Sequence, residues 1–395
     1  MCNVPRATSC QRPQRNALRA AGWLVGLAVA GCHTVPRPAL RPFDPRADLV
    51  AQARGSRQEA GLPAARDQLA AALPQLDHSH GALERRLLRT HADKSLCYPA
   101  TLATLTPTER ARTGFFFVLG YRPRKVRSER VIREAVEGMR ERGWHARLVE
   151  VGRHRPTTDD AAALQALLAA ELPKVDRAVL VGFSKGGADC MEWFAGPARD
   201  LPARQRSKIR LLMSVAGALR GSSVADWIAE GPGSGAFAVR TMVRIREPEG
   251  RDAVEEARSM GSDPWAEGRL GTLRAIAPHL EALSVVAVPD GVDGYPTTDP
   301  QMRSLSLLAG TGRKQIGPND GMVETGAQVL PAAAGVRQRI IRVFGSHSVL
   351  DSRYADGCRV AHAYRLDAKG DAHWKSGLEL LDDLMRAVPR SLAGW

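Results

Sequence analysis

Ser184 stands at the centre of the stretch Gly-Phe-Ser-Lys-Gly, a pattern typical of a nucleophilic serine. The apolar run 178–182 before it predicts a strand, and the run 185–194 after it predicts a helix. A serine on so sharp a strand-to-helix turn needs glycines two residues to either side, because side chains there would collide. A structural serine in a chance match is the alternative, and the flanking strand and helix favour the nucleophile.

A serine hydroxyl becomes a good nucleophile only when a histidine accepts its proton and a carboxylate orients that histidine. His347 comes shortly after the run 339–344, which predicts a strand. The carboxyl ends of parallel strands form the active-site edge of an α/β sheet, so His347 is the predicted base. The other histidines that follow the serine lack this placement; they are His279, His362 and His373.

Two aspartates are candidates for the acid that orients the histidine. Asp320 lies in the turn-rich run 317–323, and Asp293 follows the strand predicted at 283–288. Each stands before a glycine, so a turn-forming role is the alternative for either one. A further strand predicted at 305–309 leads toward Asp320, and only a short stretch of sequence separates Asp320 from His347. Both points favour Asp320.

Acyl transfer also needs two backbone N–H groups that bind the developing oxyanion. The amide of Lys185, directly after the serine, is the first candidate, and the amide of Tyr121, just past the predicted strand 114–120, is the second. We expect the Lys185 side chain to be a solvated charge. Basic residues also follow that strand, and they indicate either attraction for anionic lipids and acidic substrates or a solvated helix face. They are Arg122, Arg124, Lys125, Arg127, Arg130 and Arg133.

These candidates lie on a chain that alternates strand-like and helical patterns from residue 108 onward, which predicts a parallel sheet with crossover helices. The predicted strands are 114–120, 146–151, 178–182, 209–215, 283–288, 305–309 and 338–344. The predicted helices are 126–142, 157–168, 185–194 and 378–385, the second with a capping box of Thr157 and Asp160. A segment at about 228–282 interrupts the alternation and is predicted to form a cap over the site.

Three stretches resemble bacterial lipases of the α/β-hydrolase superfamily: GFSKGG at 182–187, SVAGALRGSSVAD at 214–226 and PNDGMV at 318–323. The resemblance implies an α/β-hydrolase fold, in which a mostly parallel central sheet has flanking helices and an inserted cap. It also implies that Asp320 is the acid of the triad. Some such lipases bind calcium, but their aspartate spacing is not found around His347, so neither a metal nor another cofactor is predicted.

The resemblance is incomplete at two places. Ala218 and Leu219 replace a Pro-His pair of the lipase pattern, and Leu119-Gly120 replaces a His-Gly pair that precedes the oxyanion residue in such lipases. The second difference bears on the role of Tyr121.

Residues 1–31 have the order of a secretory signal, with a basic region, a short apolar run and small residues. The following Cys32 resembles the lipidated cysteine of bacterial lipoproteins, and an ordinary signal with a chance cysteine is the alternative. His33 stands where aspartate signals retention in the inner membrane of familiar lipoproteins. We therefore expect an exported lipoprotein of the outer membrane, on its periplasmic or surface face.

Export permits disulfides. Cys97 and Cys358 lie in polar, loop-like sequence and form the predicted pair, whereas Cys190 lies in an apolar helical run and is predicted to be a buried thiol.

Composition excludes a disordered chain, since 44% of the residues are hydrophobic and 25% are charged. The net charge of +14 is accompanied by neither a zinc-finger spacing nor an aromatic-basic sheet motif, so a nucleic-acid partner is not predicted. The predicted organisation is a signal peptide (1–31), a tether (32–60), a helical segment (61–107) and an α/β-hydrolase domain (108–395).

Together these features predict an envelope-anchored serine hydrolase that cleaves carboxylic esters of lipids or small molecules. Ser184, Asp320 and His347 would form its triad, and an acyl-enzyme its intermediate. An acyltransferase with the same triad is one alternative, and a catalytically idle, hydrolase-like binding lipoprotein is another. The pattern does not indicate the natural substrate or the oligomeric state.

Overall fold

The computed structural model describes thirteen segments of the chain. The predicted signal peptide (1–31) and the predicted helix at 378–385 lie outside them, and so do Cys32, Cys97 and Tyr121. Lipidation of Cys32 and the disulfide between Cys97 and Cys358 therefore stay predictions. The described residues are 41–79, 81–82, 84, 106–120, 127–149, 155–230, 234–246, 258–259, 270–296, 299–310, 316–347, 352–355 and 358–361.

Six parallel strands form a central sheet in the order β2-β1-β3-β4-β5-β6. They are β1 (Thr113–Val118), β2 (His145–Val149), β3 (Arg177–Phe183), β4 (Ile209–Val215), β5 (Glu281–Val288) and β6 (Arg337–Phe344). β7 (Ser352–Ala355) and β8 (Cys358–Ala361) make a separate antiparallel pair. The sheet reverses its order at β1, so the loops after β1 and β3 leave a crevice at the carboxyl ends of the strands, where open α/β sheets bind ligands.

Helices connect the strands and precede the sheet. They are α1 (Leu49–Ala60), α2 (Leu62–Leu76), α3 (Pro107–Ala111), α4 (Arg127–Glu141), α5 (Thr157–Glu171), α6 (Lys185–Ala195), α7 (Ala203–Arg206), α8 (Ser223–Glu230), α9 (Ser234–Arg246), α10 (Leu270–Ile276) and α11 (Pro300–Gly310). The parallel sheet with flanking helices confirms the predicted fold class.

The core has two layers, one on each face of the sheet. Strand geometry alternates side chains between the faces, and β1 shows this directly: Phe115 and Phe117 pack in one layer with Trp144, and Phe116 packs in the other with Trp193. All five of these aromatic side chains are buried. β1 is apolar on both faces because helices cover both, as is usual for parallel sheets.

The predicted tether 32–60 is too long at its C-terminal end, because its last part folds as α1. Asp48 caps this helix by accepting hydrogen bonds from the backbone N–H groups of Val50 (2.9 Å) and Ala51 (3.2 Å). Leu49 and Phe43 are buried in a third cluster that joins α1 and α2 to β5 and β6. Burial of these apolar side chains holds the segment against the sheet.

The strand predicted at 305–309 is wrong, since these residues belong to α11. A run as short as Leu-Ser-Leu-Leu-Ala fits a strand and a helix equally well. The signal for a helix lies just before it: Asp299 accepts hydrogen bonds from the N–H groups of Gln301 (2.8 Å) and Met302 (3.2 Å), and Pro300 occupies the first helical position.

The segment predicted as a cap contains the helices α9 and α10 in its described part. Val239 of α9 shares a buried cluster with Trp227 of α8 and Ala309 of α11. No helix among the described residues is both long and apolar enough to cross a bilayer.

Candidate active site

Ser184 occupies the sharp turn between β3 and α6 with φ 53° and ψ −121°, a conformation that costs energy for a residue with a side chain. The glycines around it are required by close backbone contacts. A Cβ at Gly182 would lie 2.7 Å from the carbonyl oxygen of Gly186, and a Cβ at Gly186 would overlap the carbonyl of Val118 in β1. The turn therefore depends on these two glycines and on its packing against β1.

His347 lies directly beyond β6 and joins the predicted nucleophile to the predicted acid. Its Nε2 is 2.6 Å from Oγ of Ser184, and its Nδ1 is 2.8 Å from Oδ2 of Asp320. Its backbone N–H also donates to the carbonyl oxygen of Asp320 at 2.8 Å. The structure thus brings together the three residues that the sequence singled out, in the order serine, histidine, aspartate.

Asp320 is fully buried and accepts several hydrogen bonds besides the one from His347. Its Oδ1 accepts from the backbone N–H groups of Met322 (2.9 Å) and Val323 (2.8 Å), and its Oδ2 accepts from Nε2 of Gln328 (2.9 Å). A buried carboxylate is tolerated when its oxygens are satisfied in this way. The network fixes the face that Asp320 presents to the histidine.

Sequence reasoning missed Gln328, which is buried and holds the acid in place. Its Oε1 accepts from the backbone N–H of Ala287 at 2.7 Å, so one amide connects β5 to Asp320. The available signal was an amide side chain in the apolar run Ala-Gln-Val-Leu shortly after the acid.

Asp293, the rival acid, makes other contacts. Its carboxylate forms an ion pair with Arg303 and accepts from the N–H of Tyr295 at 3.2 Å. The hydrogen bond from Arg303 holds the pKa of Asp293 below its ordinary value. Asp293 is therefore part of a surface turn next to α11, whereas the imidazole of His347 meets Asp320.

The lipase-like stretch 214–226 lies between the elbow and the acid loop, which we define as residues 317–325. The N–H of Ala218 donates to the carbonyl of Ser184 at 3.0 Å. Ser222 accepts from the N–H of Ala225 at 3.0 Å, which caps α8, and donates to the carbonyl of Met322. The stretch consequently ties both halves of the site together.

The acid loop is also held by α1. Glu324 accepts from the backbone N–H of Gly317 at 2.7 Å and from Arg54 of α1 at 2.6 Å, and Ser223 donates to the same carboxylate. No local sequence pattern indicated this contact, because 270 positions separate Arg54 from Glu324.

The backbone amide of Lys185 opens α6 directly after the serine. A Cβ added to Gly120 would lie 2.7 Å from Cβ of Ser184 and 3.2 Å from the nitrogen of Lys185, so the chain leaving β1 passes against the elbow. Tyr121, the second predicted amide donor, follows Gly120 and lies outside the described residues. Of the two predicted amide donors, the one that the structure describes is therefore that of Lys185.

The Lys185 side chain is buried, so the expectation of a solvated charge is wrong. It is 1% exposed, and its Nζ contacts Asp189 at 2.8 Å and Asp160 of α5. Asp160 consequently does not cap α5: that helix follows Pro156 and has no side-chain cap, so the predicted capping box is also wrong. The side chain turns inward because two buried carboxylates compensate its charge.

Burial also raises the pKa of one acid and one thiol in this region. Desolvation raises the pKa of Asp189 to about 7, and the charge of Asp160 adds to this effect while that of Lys185 opposes it. Cys190 is a buried free thiol, and burial raises its pKa. Among the described residues, no group of three or more histidine, cysteine or acidic side chains has the arrangement of a metal site.

Ser184 lies in the turn after β3, and Asp320 and His347 lie near the carboxyl ends of β5 and β6. The serine, acid and histidine of α/β-hydrolases occupy the corresponding positions around their sheet. The chain has the α/β-hydrolase fold.

Comparisons with known proteins gave structural neighbours only. No family model matches the chain, and no curated protein matches it. The metagenomic carboxyl esterase MGS0156 is similar to it at 20% identity over 71% of this chain and 76% of that chain, with a TM-score of 0.42. The mature Bacillus licheniformis lipase BlEst2 is similar at 18% identity over 60% and 85%, with a TM-score of 0.39. Carboxyl esterase 2 from the fungus Tuber melanosporum is similar at 19% identity over 71% and 78%, with a TM-score of 0.34. Likeness at this level does not assign an activity to the chain.

Proposed function

We propose that this chain is a serine hydrolase that cleaves carboxylic esters through an acyl-enzyme. The observation that carries the proposal is the hydrogen-bonded series from Ser184 through His347 to the buried Asp320, at 2.6 and 2.8 Å. Such a series activates a hydroxyl group for attack on an acyl carbon. The strained elbow that exposes the serine above the sheet supports the same reading.

In this mechanism Asp320 accepts the Nδ1–H of His347, which leaves the lone pair of Nε2 free to accept a proton. Oγ of Ser184 attacks the ester carbonyl carbon as its proton passes to Nε2, and the carbonyl electron pair moves to the oxygen. The N–H of Lys185 donates to this oxyanion, with the N–H of Tyr121 as the proposed second donor. Collapse of the intermediate breaks the ester C–O bond, and the leaving alkoxide takes the proton from His347.

Deacylation repeats these steps with water as the nucleophile. His347 removes a proton from water, the hydroxide adds to the acyl carbon, and the acid product leaves as Ser184 recovers its proton. The carboxylate of Asp320 stays ionised throughout and stabilises the imidazolium that forms in each half-reaction.

The test combines covalent labelling with turnover. A fluorophosphonate probe should label the full chain in detergent at Ser184, and the chain should hydrolyse p-nitrophenyl esters. Ser184→Ala should abolish both, while Ser207→Ala, just before the amino end of β4 and away from the carboxyl ends of the strands, should change neither. Hydrolysis by folded Ser184→Ala at the parent rate would overturn the assignment of the nucleophile.

A panel of esters then defines the substrate class. We propose lipids or small esters as substrates, and rates with short-chain, long-chain and phospholipid esters under the same detergent conditions distinguish these groups. Chain length is decided by the pocket walls, and a single methylene changes binding only by roughly 1–3 kcal/mol. The panel therefore needs steps of several carbons.

We also propose that the chain is attached to the outer membrane through lipidated Cys32. The support is the order of regions in residues 1–31 and the small residues before the cysteine. Cys32→Ser should accumulate as unacylated precursor of higher mass. A Cys32→Ser protein that keeps the mature mass and partitions into detergent as the parent does would contradict the anchor.

A further inference from the structure

Lys185, Asp160 and Asp189 form a buried charge cluster directly below the nucleophile, which we call the elbow cluster. Nζ of Lys185 lies 2.8 Å from Oδ1 of Asp189, and it also contacts Oδ2 of Asp160. All three side chains are buried, at 1% exposure or less. Asp189 lies one turn further along α6, so its contact stays within that helix, whereas Asp160 belongs to α5.

Stability alone does not account for a lysine at this position. Removing two or three charges from water costs several kcal/mol per ion by rough estimate, and a buried ion pair is often no more stabilising than apolar side chains of the same volume. A positive side chain in the first turn of a helix is also opposed by the helix dipole. What such a cluster does supply is a fixed direction for the side chain that it holds.

The backbone of Lys185 is where a fixed direction matters. Its N–H is the amide proposed to bind the oxyanion, and its side chain reaches into the interface between α5 and α6. The pair with Asp160 therefore links a neighbouring helix to the residue that carries the amide. The pair with Asp189 neutralises charge but adds no link outside α6.

We propose that Asp160 is a positioning residue, which aligns the oxyanion-binding amide of Lys185 by anchoring the lysine side chain to α5. This inference rests on the proposed esterase function and goes beyond the triad and its backbone donors. A donor that is displaced by a fraction of an ångström stabilises the oxyanion less while substrate binding is unchanged, so the contribution belongs to the chemical step.

Two isosteric variants separate anchoring from neutralisation. Asp160→Asn and Asp189→Asn each replace one carboxylate of the cluster by an amide, but only the first weakens the link between α5 and Lys185. Loss of an oxyanion donor costs about 10²–10³ in kcat in other enzymes, so a misaligned donor is expected to cost roughly tenfold or more. We expect Asp160→Asn to lower kcat by at least about tenfold with KM within about twofold, and Asp189→Asn to keep kcat within about threefold.

The measurements are kcat and KM on a soluble p-nitrophenyl ester, the rate at which a fluorophosphonate labels Ser184, and the melting temperature. The labelling rate should fall with kcat in Asp160→Asn, because the phosphoryl oxygen uses the same donor. Equal losses in both variants would overturn anchoring, and so would a loss in Asp160→Asn that disappears when rates are normalised to the folded fraction.

Two further controls close the design. If Asp160→Asn does not fold, the double variant Lys185→Met/Asp160→Asn removes the pair without leaving the lysine charge uncompensated, and it should show the same fall in kcat; unchanged kcat in it would overturn anchoring. A parent chain that neither hydrolyses esters nor reacts with the probe overturns the proposed function itself. A reactive parent with an unaffected Asp160→Asn overturns this inference alone.

Discussion

The two halves of the candidate site are held in place by different means. On the nucleophile side, backbone packing fixes the geometry: Ser184 has a strained conformation, and there is no room for a side chain at Gly182 or Gly186. On the acid side, side-chain hydrogen bonds fix the geometry: Gln328 holds Asp320, and Arg54 holds the acid loop through Glu324.

This difference has an energetic consequence. The energy of a steric clash with a backbone atom rises steeply as the two atoms approach, and it cannot be relieved by rotating a side chain, whereas one hydrogen bond contributes roughly 0.5–3 kcal/mol and can be lost alone. We therefore expect substitutions on the nucleophile side to act as all-or-none changes, and substitutions on the acid side to give graded losses.

The largest effect is expected from Gly186→Ala. The added Cβ, which no side-chain rotation can move, would overlap the backbone carbonyl oxygen of Val118 in the packed strand β1. The elbow must then move away from β1, and we expect a loss of more than about 4 kcal/mol in the free energy of unfolding, with no measurable ester hydrolysis. Urea unfolding followed by circular dichroism measures the loss.

Gly271→Ala is the matched control for this change. Gly271 also lies in a helix, α10, but nothing stands within 4 Å of its missing Cβ. Alanine should stabilise that helix by about 1 kcal/mol or less. A folded, active Gly186→Ala protein would show that the elbow can accommodate a side chain at this position, and it would remove the contrast between the two sides.

Asp320→Asn is expected to have the next largest effect, and its main effect should be on activity. The amide keeps the shape of the carboxylate, but it no longer enforces the tautomer of His347 or stabilises its cation, so kcat should fall by about 10⁴-fold. Asp293→Asn should retain most of the activity, because Asp293 pairs with Arg303 at the surface. Kinetics at matched thermal stability test this ranking, and the reverse ranking would move the acid to Asp293.

Gln328→Met should give an intermediate loss. The variant removes a hydrogen bond to the buried Asp320 carboxylate, and a bond to a charged group contributes roughly 1.5–3 kcal/mol, so kcat should fall at least about tenfold. It also leaves the N–H of Ala287 without its 2.7 Å partner, which should cost about 1–3 kcal/mol of stability. Gln301→Met, exposed at the start of α11, should change neither quantity. An unchanged kcat in Gln328→Met would show that the acid loop holds Asp320 without this amide.

The same contrast explains how far the sequence alone could lead. The elbow, His347 and the parallel strands were predictable, because each depends on a local pattern: glycines around a serine, or apolar runs of strand length. The contacts of Gln328 with β5 and of Arg54 with Glu324 depend on residues that are far apart in the chain, and no local pattern encodes them.

Lys185 and the run 305–309 show two further limits. A single lysine between a serine and a glycine predicts a solvated charge. Only the fold reveals that α5 brings Asp160 into contact with it. The run 305–309 is too short for its periodicity to distinguish a strand from a helix, and the decisive signal, a capping Asp299 before a proline, lies outside it. Both errors arose where the deciding partner was not in the run itself.

The smallest expected effect is a dependence of stability on pH that comes from the elbow cluster, the charged component of the nucleophile side. Desolvation raises the pKa of Asp189 in the folded chain to about 7, against the opposing charge of Lys185 and with the added charges of Asp160 and Glu192. The folded state then binds more protons at this group than the unfolded state does between about pH 4 and pH 7. The free energy of unfolding should therefore fall as pH rises through that window and level off above it.

Asp189→Asn has no proton to lose, so its urea midpoint should decline less from pH 5 to pH 8 than that of the parent. Asp293→Asn is the control of opposite sign, since the pKa of Asp293 is lowered by Arg303 and its stabilising pair is lost only at acid pH. If the urea midpoints of the parent and of Asp189→Asn change in parallel over this range, Asp189 does not titrate there, and the elbow cluster keeps one protonation state from pH 5 to pH 8.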